Sequence, residues 1–258
     1  MFGFKARRRR RLMANPIPVE WEDVIRRRVH YFAFLPPDKK DELRGLVQVF
    51  LDEKGFEGCG GLQITDEVRV TIAAYACILL LGGQSDLFPK LRTVLVYPHS
   101  YLAPQYSRRP DGTVSEGLQG RSGESWSFGN IVLSWQDVLE DSSSRVERNV
   151  VFHEFAHQLD FESGSAQGAP ILPRGARYAD WARVLGGEYE SLITSLETDR
   201  PSLLDKYGAY NPAEFFAVAT ECFFLKPVEL RETHPELYSQ LKIYYRQDPV
   251  TFGIAPES

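Results

Sequence analysis

The segment that most constrains how this chain can fold is His153-Glu154-Phe155-Ala156-His157. On a helix, histidines four residues apart share one face. There the two imidazoles can take two corners of a tetrahedral metal site, with the intervening Glu154 beside it. The expectation is a helix bearing a zinc site, and a zinc hydrolase as the function class. With five His among 258 residues, composition alone would give H-E-x-x-H in roughly one chain in a hundred, so context must decide. Residues 145–160 contain neither Pro nor Gly, and Val146, Val150, Val151, Phe155 and Leu159 are spaced for a helix. The pattern predicts a helix over 145–160 with N-caps offered by the serines at 142–144. A buried helix with two hydrogen-bonded histidines is the bland alternative. The placement of two of the five His around one Glu favours the metal.

A catalytic zinc takes three protein ligands and leaves the fourth position to water. Asp160 lies one turn beyond His157 and reads as a carboxylate that orients a histidine ring rather than as a ligand. The better candidates lie in Tyr207-Gly208-Ala209-Tyr210-Asn211-Pro212-Ala213-Glu214-Phe215-Phe216-Ala217. Asn211 suits an N-cap and Pro212 a first helical residue, which predicts a helix over 211–225. Glu214 could then close a capping box, and Glu221, seven residues on, is a rival ligand on nearly the same face. Spacing leaves the choice between Glu214 and Glu221 open.

HEFAHQLD followed by YGAYNPAEFFAVATECFF resembles the Mlc titration factor A family of bacterial zinc metallopeptidases. The same two segments are similar to the catalytic domain of anthrax lethal factor. The resemblance implies a gluzincin-like site with one zinc ion bound by His153, His157 and Glu214. It further implies Glu154 as general base and Tyr207 near the reacting carbonyl, with Tyr210 a neighbouring phenol that could be confused with it. The implied activity is hydrolysis of a peptide or protein substrate. The family also binds the transcriptional repressor Mlc and so relieves repression of sugar-transport genes. The alternative function is therefore regulatory, with sequestration of a repressor rather than proteolysis as the cellular role. Aminopeptidase and endopeptidase action are equally compatible with these residues.

The chain over 19–258 reads as one α+β domain, helix-rich with a small mixed sheet, and the resemblance implies that this domain is zincin-like. Helices are expected over 20–34, 37–53, 65–81, 179–194 and 235–245, and strands over 92–98 and 129–135. The second strand could hold an extended substrate at a sheet edge or could simply be a core strand. Residues 112–123, with four Gly, suit a mobile loop near a cleft, with a plain surface loop as the commoner meaning. Residues 1–18 carry Lys5 and Arg7 to Arg11 and read as a basic, solvated tail, with contact to anionic lipid or nucleic acid as the sharper alternative. The net charge of −5 argues against a general nucleic-acid binder, and no apolar run is long enough to span a membrane. Cys59, Cys77 and Cys222 are odd in number and widely spaced, which fits a reducing cytoplasm and supports neither a disulfide framework nor a zinc finger. His30, His99 and His234 are isolated and read as structural or surface residues.

Overall fold

The computed structural model describes residues 2–83, 86–99, 101–108, 114–121, 129–142, 148–164 and 166–253, with backbone alone for residues 2, 101–108 and 114–121. Helix α1 (Phe2–Ala14) occupies most of the segment expected to be a solvated tail. It lies on α4 (Pro37–Glu53), where Arg8 reaches Asp52 at 2.6 Å and Arg9 grips Glu53 through two bonds of 2.6 and 2.7 Å. A bidentate guanidinium–carboxylate pair is the ion pair best able to order a terminal helix. The helix expected over 20–34 is two, α2 (Val19–Arg28) and α3 (Tyr31–Phe34), because Val29 leaves helical geometry at φ −114° and ψ 81°.

Strand β1 (Gly55–Gly58), helix α5 (Asp66–Ile78) and strand β2 (Thr93–Tyr97) follow, with Thr65 capping α5 through Val68 N–H. Strands β3 (Tyr101–Arg108) and β4 (Val114–Arg121) form an antiparallel pair, so most of the expected loop over 112–123 is strand and its remainder lies outside the described residues. Strand β5 (Asn130–Ser134) runs parallel to β2 with Val94 opposite Ile131, and the parallel sheet has the order β1-β2-β5. Among the described strands β5 is at an edge in pairing, and Ile131 and Leu133 are fully buried, as the core-strand reading expects. The architecture is α+β with helix in excess, its strands divided between one parallel and one antiparallel sheet.

After α6 (Trp135–Asp141) comes α7 (Val150–Phe161), whose residues from Val150 to Asp160 are all buried. A helix enclosed on every side belongs at the centre of a large core. Phe152 packs edge-on against Tyr31 and Tyr75, and Phe155 against Phe88. The start differs from the expected 145. Asn149 is extended and its side chain accepts Phe152 N–H at 2.9 Å, which ends any helix there; Ser142 is the C-cap of α6, and positions 143–147 lie outside the described residues. Helix α8 (Tyr178–Glu197) leads to α9 (Pro212–Leu225), α10 (Pro227–Thr233) and α11 (Pro235–Tyr245). Helix α10 was not foreseen; its signal was Pro227, a proline at the first helical position.

Candidate metal centre

Helix α7 presents His153 and His157 one turn apart, 8% and 1% exposed, with Glu154 between them at 4%. Helix α9 supplies the third group. Asn211 caps that helix by accepting Glu214 N–H at 2.9 Å, and Pro212 occupies its first turn. This is half of a capping box, because the Glu214 carboxylate turns away to the histidines. Its Oε2 lies 3.0 Å from His153 Nε2 and 3.2 Å from His157 Nε2, and the two Nε2 atoms are 3.2 Å apart.

Glu221, the rival ligand on spacing, stands on the other side of the His153 ring. Its Oε1 is 2.7 Å from His153 Nδ1, and its Oε2 accepts Asn149 N–H at 2.7 Å. A carboxylate here can only accept, so Nδ1 carries a proton and the neutral ring keeps its lone pair on Nε2. That lone pair faces the Glu214 carboxylate and a second imidazole nitrogen. Three electron-pair donors meeting in a buried space require a cation among them. Without a metal, the proton plays that part. Burial opposes charge on His153, but the Glu214 and Glu221 carboxylates outweigh it and hold its pKa near 10. Burial likewise opposes ionisation of Glu214, and the two histidines overcome it and bring its pKa down to about 2. His157 is lowered, by burial first and by neighbouring His153.

Asp160 differs from its expected use as a ring-orienting group. Its two oxygens accept Gly168 N–H at 2.6 Å and Ala169 N–H at 2.8 Å, holding the chain that leaves α7, while it still acts electrostatically on His157. Asp141 accepts Val150 N–H at 2.6 Å and so supports the start of α7. Tyr207 sits on a short 3₁₀ turn, Lys206–Ala209, whose cap is Asp205 accepting Tyr207 N–H. Its ring centre is 6.0 Å from that of His153 and it is 43% exposed, whereas Tyr210, 65% exposed, stacks on its outer side. His99 bonds Gln136 and His234 bonds Glu188, both apart from this group.

The sequence profile of the glucose-regulated metallo-peptidase M90 family matches residues 4–246. The chain belongs to this family. An uncharacterized Synechocystis sp. protein, slr2042, is 41% identical over 246 residues, covering 94% of this chain and 89% of the relative. Mlc titration factor A of Pectobacterium atrosepticum is 32% identical over 233 residues, covering 89% and 86%, and that of Serratia proteamaculans is 31% identical over 237 residues, covering 90% and 88%.

An M90 metallopeptidase needs a metal, and His153, His157 and Glu214 fit one by their chemistry and spacing. Two imidazoles and a carboxylate are a zinc-type donor set. Ligands at about 2.0–2.1 Å from a tetrahedral ion stand about 3.3 Å from one another. The three separations of 3.0, 3.2 and 3.2 Å are close to that edge. Among the described residues this is the group of His, Cys, Asp and Glu side chains that could hold an ion. No described helix is long and apolar enough to cross a membrane.

Proposed function

We propose that the protein is a zinc-dependent peptidase whose ion is held by His153, His157 and Glu214, with residues 19–258 serving as one catalytic domain. The observation that carries this reading is the convergence of two Nε2 atoms and one carboxylate oxygen within 3.2 Å of one another, with buried Glu154 between the histidines. When bound, zinc supplies a Lewis acid that polarises the scissile carbonyl and brings the pKa of water towards neutrality. Glu154 takes the proton of the attacking water and passes it to the leaving amine. The Tyr207 hydroxyl donates a hydrogen bond to the oxygen that gains charge as the carbonyl is attacked. Glu221 keeps the His153 proton on Nδ1, so that Nε2 is the donor to the ion.

The test is a comparison of Glu154→Gln with His153→Ala, reading zinc by elemental mass spectrometry and turnover on a peptide library. Glu154→Gln should keep about one zinc per chain and lose activity by about 10²–10⁴-fold, whereas His153→Ala should lose both. A Glu154→Gln protein with normal turnover would remove Glu154 as the base.

The name shared by the relatives at 31–32% identity gives a second reading, in which the protein titrates an Mlc-type repressor in the cytoplasm. The two readings separate in the same variant. Glu154→Gln abolishes a cellular effect that depends on proteolysis and spares one that depends on sequestration.

A further inference from the structure

We propose that the outer face of α1 docks on an anionic lipid surface, with Phe4 entering the headgroup boundary and Arg7, Arg10 and Arg11 pairing with phosphates. The helix is divided along its length. Arg8, Arg9 and Lys5 face α4 and are committed to Asp52 and Glu53, Arg9 also to Asp86, and Leu12 packs against the core. At helical spacing Phe4, Arg7, Arg10 and Arg11 share the opposite side. Phe4 is 78% exposed and the three arginines are exposed. Among the described residues none of the three has a carboxylate partner.

The second arginine run shows what this chain does with surface cations elsewhere. Arg26 pairs with Glu22, and Arg27 and Arg28 share Glu67, so every member of that run has a carboxylate partner. The arginines on the outer side of α1 are left for something external, in a chain whose net charge is −5. An anionic bilayer meets both features at once. Its phosphates take the guanidinium groups, and its interface takes an aromatic ring that lies on the same face. A nucleic-acid backbone would use the arginines, but it has no place for an apolar ring lying alongside them. Because the inner face is already anchored, α1 reaches the surface as a formed helix. Three cations and one ring give weak, reversible, salt-sensitive attachment rather than insertion.

The experiment is co-sedimentation of the full, untagged chain with vesicles of phosphatidylglycerol and phosphatidylcholine, with vesicles of phosphatidylcholine alone, and with a homopolymer RNA as competitor. Binding is expected only to the anionic vesicles and should fall with rising salt. Arg7→Glu/Arg10→Glu/Arg11→Glu should weaken it by at least about a hundredfold, since each neutralised arginine alone is worth about fivefold. Phe4→Ser, at an exposed position that leaves the fold intact, should weaken it by about tenfold. Equal binding to neutral vesicles, no vesicle binding at all, indifference to both variants, or displacement by RNA at lower concentration than lipid would each overturn the proposal. Peptide hydrolysis in solution should be the same for wild type and Phe4→Ser, which separates this surface from the metal centre.

Discussion

Glu221 and His153 are joined at 2.7 Å through the histidine Nδ1, and the other Glu221 oxygen takes the backbone N–H of Asn149 at 2.7 Å. One carboxylate on α9 thus fixes both the ring tautomer on α7 and the residue that starts α7. Glu221→Gln can satisfy only one of the two donors with its carbonyl oxygen, and its amide faces the other as donor against donor. Zinc affinity should fall by about 10–100-fold, measured by competition with a chromogenic chelator. An unchanged affinity would show that Glu221 does not position the ring.

Tyr207 lies next to His153 while Tyr210 stacks outside it, so the two phenols should separate in kinetics. Tyr207→Phe is expected to lower kcat by about 10²-fold with little change in KM, as for loss of one oxyanion donor. Tyr210→Phe should leave kcat within about twofold. Equal losses in both variants would assign the effect to packing of the 3₁₀ turn.

Glu162 caps the end of α7, where burial raises its pKa from 4.5 to about 7 against the pull of Lys54 and Lys90. The folded protein therefore holds a proton between those values that the unfolded chain has released. Stability from this group is complete below 4.5 and is lost as pH rises through 7. Glu162→Gln should match wild type at pH 4 and exceed it by about 1–2 kcal/mol at pH 8, after allowing for partial exposure. Urea melts at the two pH values give the comparison, and a variant that tracks wild type at both would place this titration elsewhere.

Gly168 has φ +72°, and a Cβ on it would stand 2.4 Å from Pro212 O, at the first residue of α9. Its N–H goes to Asp160 and its carbonyl takes Trp181 Nε1–H at 2.9 Å, so it cannot move aside cheaply. Gly168→Ala should cost about 2–4 kcal/mol, read as a lowered Tm by calorimetry. A melting point within a degree of wild type would mean that the chain between α7 and α8 yields.

The helices were legible wherever apolar spacing met a cap. Pro37–Glu53 and Pro235–Tyr245 fall where proline and periodicity place them, and Thr65 and Asn211 cap as their positions suggest. The histidine pair was legible because four-residue spacing is itself geometry. Glu221 was visible only as a competitor of Glu214, since the sequence records that both lie near one face and not which ring nitrogen each meets. The order at α1 was hidden for a different reason. Its partners, Asp52, Glu53 and Asp86, lie more than forty positions away, and an arginine run gives no sign of whether such carboxylates are within reach.

His157 and Glu214 face one another across 57 positions of chain, and that interval contains all of α8. An ion shared by the two would close this stretch into a loop and remove a large share of the unfolded chain's freedom, as a crosslink does. Metal loading would then be felt well away from the donors. Amide hydrogens of α8, which contributes none of the three donor atoms, should exchange with solvent faster in the chelated protein than in the loaded one, so α8 would serve as a remote gauge of occupancy.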